Sequence, residues 1–362
     1  MGMALLLYLA LGWLVSHKRE QRAESARAIG FASAPPPCPD APPEGGYEYG
    51  FCALTRVRNV AFMIPQWIEY HRIAGVDMFF ISDDCSTDDH LGARSTRQIL
   101  KKYAALGIIQ YVRIRLQHPW FKAACTLHKP DEDSHFRMLF GAARLRCKYI
   151  GVWDVDEYVT STNMTFFGNL SAFMESAPAC FYCGTPFYKR IPWFVMGSEG
   201  LEANPDKRLL IENHQRGALY LNHIKTFAES RAVDTWQFSL WPHFTERFMD
   251  HYDIDITQVE SVNLLPGEFH AGMDDNGRRC KVPASPVFLK HYIYMSWTEF
   301  QAGRGSTKRT SNNDVSPWAA NPRTKWLEGG NVTEFAYQYG QTYTMKMIPL
   351  TLAALNKTWF GA

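Results

Sequence analysis

The sequence predicts an α/β fold, with a mostly parallel, Rossmann-like sheet flanked by helices. Short apolar runs alternate with helix-like segments from residue 47 to residue 153. These runs are apolar at almost every position, which is typical of parallel strands that are buried on both faces. Acidic side chains directly follow two of the runs. Because open α/β sheets bind ligands at the carboxyl ends of their strands, the pattern also predicts a binding site there.

The elements of this domain can be assigned in order. The first predicted strand, YGFCALTRV, precedes the predicted helix IPQWIEYHRIAG, in which Ile64, Trp67, Ile68 and His71 fall at helical spacing. Gly75 can end this helix. The strands MFFIS, IIQYVRIRL and YIGVW follow, separated by the predicted helices DHLGARSTRQILKKYAALG and HFRMLFGAARLRC.

The alternation stops after residue 160. Residues 180–300 contain short apolar runs and many Trp, Tyr, His and Pro residues, which predicts a second subdomain on the same sheet. The tail offers one helix, TYTMKMIPLTLAAL, which Pro349 interrupts. The predicted divisions are a signal anchor or signal-like segment at 1–16, a Pro-rich stem at 17–46, the main domain at 47–305 and a C-terminal extension at 306–362.

The N-terminus and the sequons predict a luminal, membrane-anchored protein. MGMALLLYLALGWLVS carries no charged side chain, but it is shorter than the roughly 20 apolar residues of a membrane span. The cations Lys18, Arg19 and Arg22 follow it, which by the positive-inside rule disfavours a luminal domain. Eight Cys residues are compatible with disulfides. Four sequons favour the lumen, at Asn163, Asn169, Asn331 and Asn356. A cytosolic protein and an incomplete N-terminus stay open as alternatives.

Carboxylates at two predicted strand ends indicate a metal site. The net charge of +2 and the lack of a basic stripe argue against nucleic acid as a partner. Asp83 and Asp84 follow one strand, and Asp154, Asp156 and Glu157 follow another. Alternation along a strand end would point Asp154 and Asp156 the same way. Burying like charges is costly unless they are compensated, so we expect Mg²⁺ or Mn²⁺ here, completed by a diphosphate. A solvated turn is the plainer interpretation.

Three ordered blocks between about residues 50 and 305 resemble glycosyltransferase family 92 and its family 2-like relatives. They are ALTRVRNVAFMIPQWIEYHRIAGVDMFFISDDCSTDD, WDVDEYV and LKHYIYMSWTEFQAGRG. The matching residues of the first block are Val57, Asn59, Gln66, Trp67, Glu69, Tyr70, His71, Gly75, Val76, Asp77, Asp83, Ser86 and Asp88. A long, spaced match of this kind is far more specific than D-x-D alone.

The resemblance implies a GT-A fold and an inverting, Mn²⁺-dependent transfer from a UDP-sugar, with galactose as the commonest sugar. By position, Val57 and Asn59 would lie under the nucleotide, and Asp83 or Asp84 would reach the uracil or ribose. Asp154 would hold the ribose or the metal, and Asp156 the metal with the diphosphate. His291 matches a late His-Tyr pair and is a further candidate metal ligand; its alternative is a core or acceptor-site histidine.

Three positions depart from the family pattern. Val60 replaces a Glu, and Gln66 stands where a Glu usually precedes Trp67. A Lys is absent between Phe300 and Arg304, so the expected phosphate contact would fall to Arg304 or Lys308. These departures leave the donor less defined than the fold.

An inverting transfer also needs a general base and an acceptor surface. Asp234, Glu246, Asp274 and Asp275 are the candidate bases, and Glu246 is preferred because it lies near the segment WPHF. Trp241 and His243 in that segment could orient an acceptor sugar, although ordinary core packing explains them equally well.

The predicted function is a Golgi, metal-dependent glycosyltransferase that acts on a glycan or glycoconjugate. Two alternatives stay open. A catalytically inactive, glycan-binding relative is compatible with Val60, and a metal-dependent hydrolase would need more His residues near the D-x-D motif than the sequence contains.

Overall fold

One curved sheet carries the fold in the computed structural model, within the larger of two compact units, Pro39–Ala362. The structure describes residues 45–113, 132–176, 180–182, 185–204, 208–215, 217–230, 269–273, 279–282, 286–301, 323 and 341–360. Within these residues nine strands form the sheet, and two further strands form a separate hairpin.

The first half of the sheet is parallel, as the alternating pattern predicts. The elements are β1 (Tyr49–Val57), α1 (Ile64–Ala74), β2 (Met78–Asp83), α2 (Thr96–Ala105), β3 (Ile109–Arg113), α3 (Glu132–Ala143) and β4 (Cys147–Val152). The strand order is β3-β2-β1-β4, and every pair is parallel. Gly75 ends α1 in the left-handed conformation, with φ of 105°. The predicted α/β fold is confirmed.

One predicted helix is divided. The expected helix from Asp89 to Gly107 is a 3-10 segment, Asp88–Arg94, followed by α2. Ser95 lies between them in an extended conformation and accepts a hydrogen bond from the backbone N–H of Gln98. This N-cap starts a new helix, so the single-helix prediction is wrong in its first turns.

The second half of the sheet is mixed in direction. Its elements are β5 (Glu157–Ser161), α4 (Leu170–Glu175), β6 (Cys180–Tyr182), β7 (Thr185–Met196), α5 (Leu210–Asn213), β8 (Gly217–Glu229), the hairpin β9 (Phe269–Met273) and β10 (Arg279–Val282), β11 (Val287–His291) and α6 (Trp297–Phe300). The order continues β4-β8-β7-β11-β5, with β6 on β7. Much of the predicted second subdomain therefore shares the sheet.

The sheet must curve to connect β4 with β5. Four residues, Trp153 to Asp156, join the two strands, although β8, β7 and β11 lie between them in the order. Four strand spacings of a flat sheet are about 19 Å, which exceeds the reach of so short a turn. The curvature brings the end of β4 against β5 and β11.

The last described helix, α7 (Gln341–Phe360), completes the core. It runs through Pro349 without a break, so the predicted interruption there is wrong. Tyr343 and Met347 are buried in the main core, and the hydroxyl of Thr358 donates to the Glu69 carboxylate of α1 at 2.7 Å. These contacts hold α7 across the missing proline N–H. No helix in the described part of the chain has the length and apolar character needed to cross a membrane.

Apolar side chains cover both faces of the parallel strands. Alternate residues of β1 enter different clusters: Phe51 and Ala53 pack with α1, and Cys52 and Leu54 pack with α3. On the α3 face a disulfide joins Cys52 of β1 to Cys147 of β4. It ties together the two central strands.

Three side chains of α1 hold the backbone of β5, and we call them the α1 clamp: Trp67, Tyr70 and His71. The Trp67 indole donates to the Glu157 carbonyl at 2.9 Å, and the Tyr70 hydroxyl donates to the Val159 carbonyl at 2.6 Å. His71 Nε2 accepts from the Val159 N–H at 3.1 Å. The clamp therefore fixes where β5 begins.

The clamp also sets the protonation of His71. Its Nε2 accepts a second bond, from the Trp153 indole at 3.2 Å, so Nδ1 carries the proton and donates to the Trp67 carbonyl at 2.8 Å. Burial lowers the pKa of His71 from 6.5 to about 3, against the opposing effect of the Trp67 carbonyl. The imidazole is therefore neutral at physiological pH.

A neutral, buried His71 makes stability depend on pH. Below pH 6.5 the unfolded chain binds a proton at His71, while the folded protein does not until about pH 3. The contribution of His71 is therefore full above pH 6.5 and is lost as the pH falls toward 3. Between pH 6.5 and 5 we expect it to reduce the free energy of unfolding by about 2 kcal/mol. Urea denaturation at pH 7 and pH 5 measures this loss.

His90 supplies the matched control, because its side chain is exposed. His90→Gln should keep the pH-dependent loss of wild type, whereas His71→Gln should remove about 2 kcal/mol of it. Equal losses in the two variants would contradict a buried, neutral His71.

The disulfide on the α3 face should contribute strongly to stability, because it joins residues 95 positions apart. Replacing both partners, Cys52→Ala with Cys147→Ala, should lower the free energy of unfolding by about 2–5 kcal/mol. Urea denaturation of the double variant, with near-ultraviolet circular dichroism to check its packing, measures the effect. A loss below about 1 kcal/mol would show that strand pairing alone holds β1 to β4.

Candidate functional site

The loops that follow β1 and β2 are fastened to each other. Asn59 has a left-handed backbone, with φ of 52°. Its N–H donates to Ser86 Oγ at 3.0 Å, its amide donates to Thr87 Oγ1 at 3.2 Å, and its Oδ1 accepts from the Thr87 N–H at 2.7 Å. Val57 is buried, and its carbonyl accepts from the Asp84 N–H at 2.8 Å. Val57 and Asn59, which the sequence predicts to bind the sugar donor, thus fix the loops at the carboxyl ends of β1 and β2.

The two aspartates at the end of β2 have different surroundings. Asp83 accepts from the Ser86 N–H at 2.9 Å and from the Tyr111 hydroxyl at 3.2 Å. Asp84 lies 3.6 Å from Arg56 Nη1. Asp83 therefore stabilises the loop, and Asp84 belongs to a charged cluster.

His135 completes that cluster from α3. Its Nε2 lies 3.6 Å from Asp84 Oδ1, and its Nδ1 contacts Ser82 Oγ. Burial raises the pKa of the Asp84 carboxyl, but His135, Arg56 and Arg58 outweigh that effect, so the pKa lies below its usual value. Asp84 is therefore ionised at neutral pH.

The D-V-D motif forms a turn and does not extend β4. The Glu157 N–H donates to the Asp154 carbonyl at 3.0 Å, and β4 ends at Val152. Val155 is buried in the core. The side chain of Asp154 is 40% exposed, whereas that of Asp156 is 8% exposed. The expectation that strand alternation orients the two aspartates is therefore wrong, because a turn places them differently.

Lys225 of β8 compensates part of the negative charge. Its side chain is fully buried, and its Nζ lies 3.0 Å from Asp154 Oδ2 and 3.3 Å from Glu157 Oε1. Burial lowers the pKa of Lys225, but attraction to these two carboxylates raises it above its usual value. Lys225 therefore forms ion pairs with two of the three clustered carboxylates, those of Asp154 and Glu157.

Asp156 and His291 converge beside this ion pair. Antiparallel pairing of β11 with β5 places His291 opposite Glu157. His291 Nε2 lies 3.4 Å from Asp156 Oδ2, and the Tyr292 N–H donates to the Asp156 carbonyl at 2.8 Å. A carboxylate and an imidazole so close together fit two ligands of a divalent ion, and the imidazole favours Mn²⁺ over Mg²⁺.

Among the residues that the structure describes, no group of three or more His, Cys, Asp or Glu side chains is arranged to hold a metal ion. A metal at Asp156 and His291 would therefore need ligands beyond the described His, Cys, Asp and Glu side chains.

Several predicted site residues lie outside the described residues. They are Asp234, Trp241, His243, Glu246 and Arg304, together with the further candidates Asp274, Asp275 and Lys308. The base, acceptor and phosphate assignments stay predictions. Two residues that the sequence did not indicate, Lys225 and His135, lie at the described site.

The closing segment of the resemblance has a structural role. Ser296 precedes α6, and its hydroxyl donates to Glu299 Oε2 at 2.5 Å. The amide of Asn204 donates to Glu299 Oε1 at 3.1 Å. Ser296 and Glu299 therefore bond to each other at the start of α6, and Glu299 also attaches this helix to the loop after β7.

Comparison with known proteins agrees with the resemblance. No protein-family model matches the chain. A glycosyltransferase family 92 protein of Ricinus communis is 25% identical over 262 residues, which is 70% of this chain and 37% of that relative. Family 92 proteins of Arabidopsis thaliana and Oryza sativa subsp. japonica are each 27% identical, over 32% and 31% of this chain and 17% and 16% of their own lengths.

The matched region thus spans little more than a third of the Ricinus relative. These similarities confirm the resemblance seen in the sequence: the chain is similar to glycosyltransferase family 92 proteins over part of their length.

Proposed function

We propose that the protein is a metal-dependent, inverting glycosyltransferase. It moves a sugar from a UDP-sugar, with galactose as the first candidate, to a hydroxyl of a glycan or glycoconjugate. Similarity to glycosyltransferase family 92 proteins supports the class of activity. The observation that carries the proposal is the convergence of Asp156 and His291 at the end of the central strand β4.

The spacing of the strand ends suits a nucleoside diphosphate. β2 and β4 flank β1, so their carboxyl ends are about 10 Å apart. Asp84 at the β2 end would contact the uracil or ribose, and the D-V-D turn at the β4 end would face the diphosphate. The loops around Asn59 that follow β1 and β2 would lie under the nucleotide, between Asp84 and the D-V-D turn.

Asp156 and His291 would hold the metal ion. A bound divalent cation stabilises the negative charge of a leaving diphosphate. Asp154 would contact the donor ribose, Arg304 or Lys308 would contact phosphate, and Glu246 or Asp234 would take the proton of the acceptor hydroxyl. Trp241 and His243 would orient the acceptor.

A glycan-binding protein without activity is the second candidate. Val60 occupies the position of a family Glu, and it is half-buried against the core. This substitution removes a carboxylate from the donor side while Asp156 and His291 remain together.

The Golgi membrane, with a luminal domain, is the proposed location. Asn163, Asn169 and Asn356 of three sequons are exposed. The disulfide Cys52–Cys147 also suits an oxidising compartment, and Cys85 is disulfide-bonded as well. The apolar segment 1–16 would supply the anchor.

The test is release of UDP or GDP from a panel of nucleotide sugars with Mn²⁺, using residues 35–362 secreted from cells. We expect one UDP-sugar to be hydrolysed slowly, and EDTA to abolish the release. Asp156→Asn should reduce the rate by about 100-fold or more, because it removes a charged ligand of the metal ion that stabilises the leaving diphosphate.

Asp89→Asn is the matched control, because Asp89 is an exposed aspartate of the 3-10 segment. It should retain the wild-type rate. Failure of every donor, together with no UDP-induced rise in melting temperature, would exclude the transferase and favour glycan binding. Release that persists in Asp156→Asn would remove this residue from the donor site.

A further inference from the structure

We propose that Asn163 and Asn169 are N-glycosylation sites whose glycans cover the edge of the sheet opposite the candidate donor site. The modifying group is an oligosaccharide carried on a lipid diphosphate in the lumen of the secretory pathway. The inference rests on the proposed luminal location. It assigns a modified surface that the proposed transfer reaction does not use.

Both asparagines present the amide that this modification requires. Each begins an N-x-S/T sequon, and each side chain is exposed. In the reaction the side-chain Nδ2 forms a bond to the anomeric carbon of the oligosaccharide. The bond from that carbon to the lipid diphosphate breaks, the diphosphate leaves with the bonding electrons, and the amide gives up one proton. The modified side chain keeps its carbonyl oxygen.

The fold uses that carbonyl oxygen in both asparagines. Asn163 Oδ1 accepts from the Thr165 N–H at 2.9 Å, at the start of the 3-10 segment Met164–Phe166. Asn169 Oδ1 accepts from the Ala172 N–H at 2.9 Å and caps α4. A glycan on Nδ2 leaves both acceptors in place, so the native loop is compatible with modification at both residues.

The strand directions place both asparagines at the edge where the parallel strands begin. β8 is antiparallel to β4, β7 is antiparallel to β8, β11 is parallel to β7, and β5 is antiparallel to β11. β5 therefore runs against β4, and Asn163 comes two residues after its last residue, Ser161. The candidate donor site lies at the other edge, where β1, β2 and β4 end.

Contacts of α4 support this placement. A Cβ atom at Gly50, near the start of β1, would lie 2.8 Å from Ser171 Oγ. Glu175 Oε1 of α4 lies 2.6 Å from Lys148 Nζ, near the start of β4. From Gly50 to Val57, at the far end of β1, the strand rises about 23 Å. Glycans attached beside α4 therefore leave the candidate donor site open.

The test is peptide mass spectrometry of the full chain made in animal cells, after peptide-N-glycosidase F treatment in heavy-oxygen water. This treatment converts each occupied Asn to a labelled Asp, so we expect label at both Asn163 and Asn169. Thr165→Ala and Ser171→Ala each remove one sequon and retain the capping asparagine. Each should lose the label at its own asparagine, and the double variant should release UDP at the wild-type rate.

Thr165→Ser and Ser171→Thr are the matched controls, because they change the same positions and keep both sequons. They should retain the wild-type label. A full chain without label at either asparagine overturns the proposal, and UDP release by that chain would leave the transferase intact. A folded double variant that releases UDP at least about tenfold more slowly would contradict the placement of the glycans away from the donor site. Label at both residues in a chain that uses no donor supports glycosylation and counts against the transferase alone.

Discussion

A single neutral imidazole holds together the parts of this protein on which the site depends. His71 accepts hydrogen bonds from the Trp153 indole and the Val159 N–H, which lie on either side of the D-V-D turn. Each donor is buried, and leaving a buried donor without an acceptor costs about 1–3 kcal/mol. The turn is therefore fixed at both ends by one side chain from a helix that precedes it by about 80 residues. A charged imidazole could not accept these bonds.

Electrostatics complete what the clamp begins. Three carboxylates close together at the end of β4 repel one another and suggest a bound cation. Lys225 of the same chain neutralises part of this charge through ion pairs with Asp154 and Glu157. The remaining pair, Asp156 and His291, is brought together by the pairing of β5 with β11. The order of the strands thus places Asp154 beside Lys225 of β8 and Asp156 beside His291 of β11, although the two aspartates are only two residues apart.

Local pattern was enough to predict the parallel half of the sheet. The strands β1 to β4 and the helix α1 follow from apolar runs, helical spacing and a terminal Gly75, all of which are local. The next predicted helix divides at Ser95. A serine at this position can either continue a helix or cap a new one, and the local pattern is compatible with both. At Pro349 the local pattern predicted a break in the helix, but the packing of α7 against the core outweighs the local cost of proline.

The site was predictable only where a motif carried it. Asp154, Asp156 and His291 were found through strand ends and resemblance. Lys225 and His135 were missed because each meets its partners across long stretches of chain, 71 residues between Lys225 and Asp154 and 53 between His135 and Ser82. A lone buried Lys or His has no spacing that distinguishes it from any other. Such contacts are determined by sheet order.

The packing of α7 on α1 has a consequence for biosynthesis. Glu69 is fully buried, and its carboxylate is satisfied by Arg72 and by Thr358, which lies 289 residues further along the chain. A growing polypeptide therefore makes α1, with its clamp, long before the helix that covers Glu69 leaves the ribosome. Until then the carboxylate lacks one of its partners and Tyr343 and Met347 are absent from the core. The contacts between α1 and α7 can form only after translation has passed α7, so the α1 face stays open while the 289 residues between Glu69 and Thr358 are made.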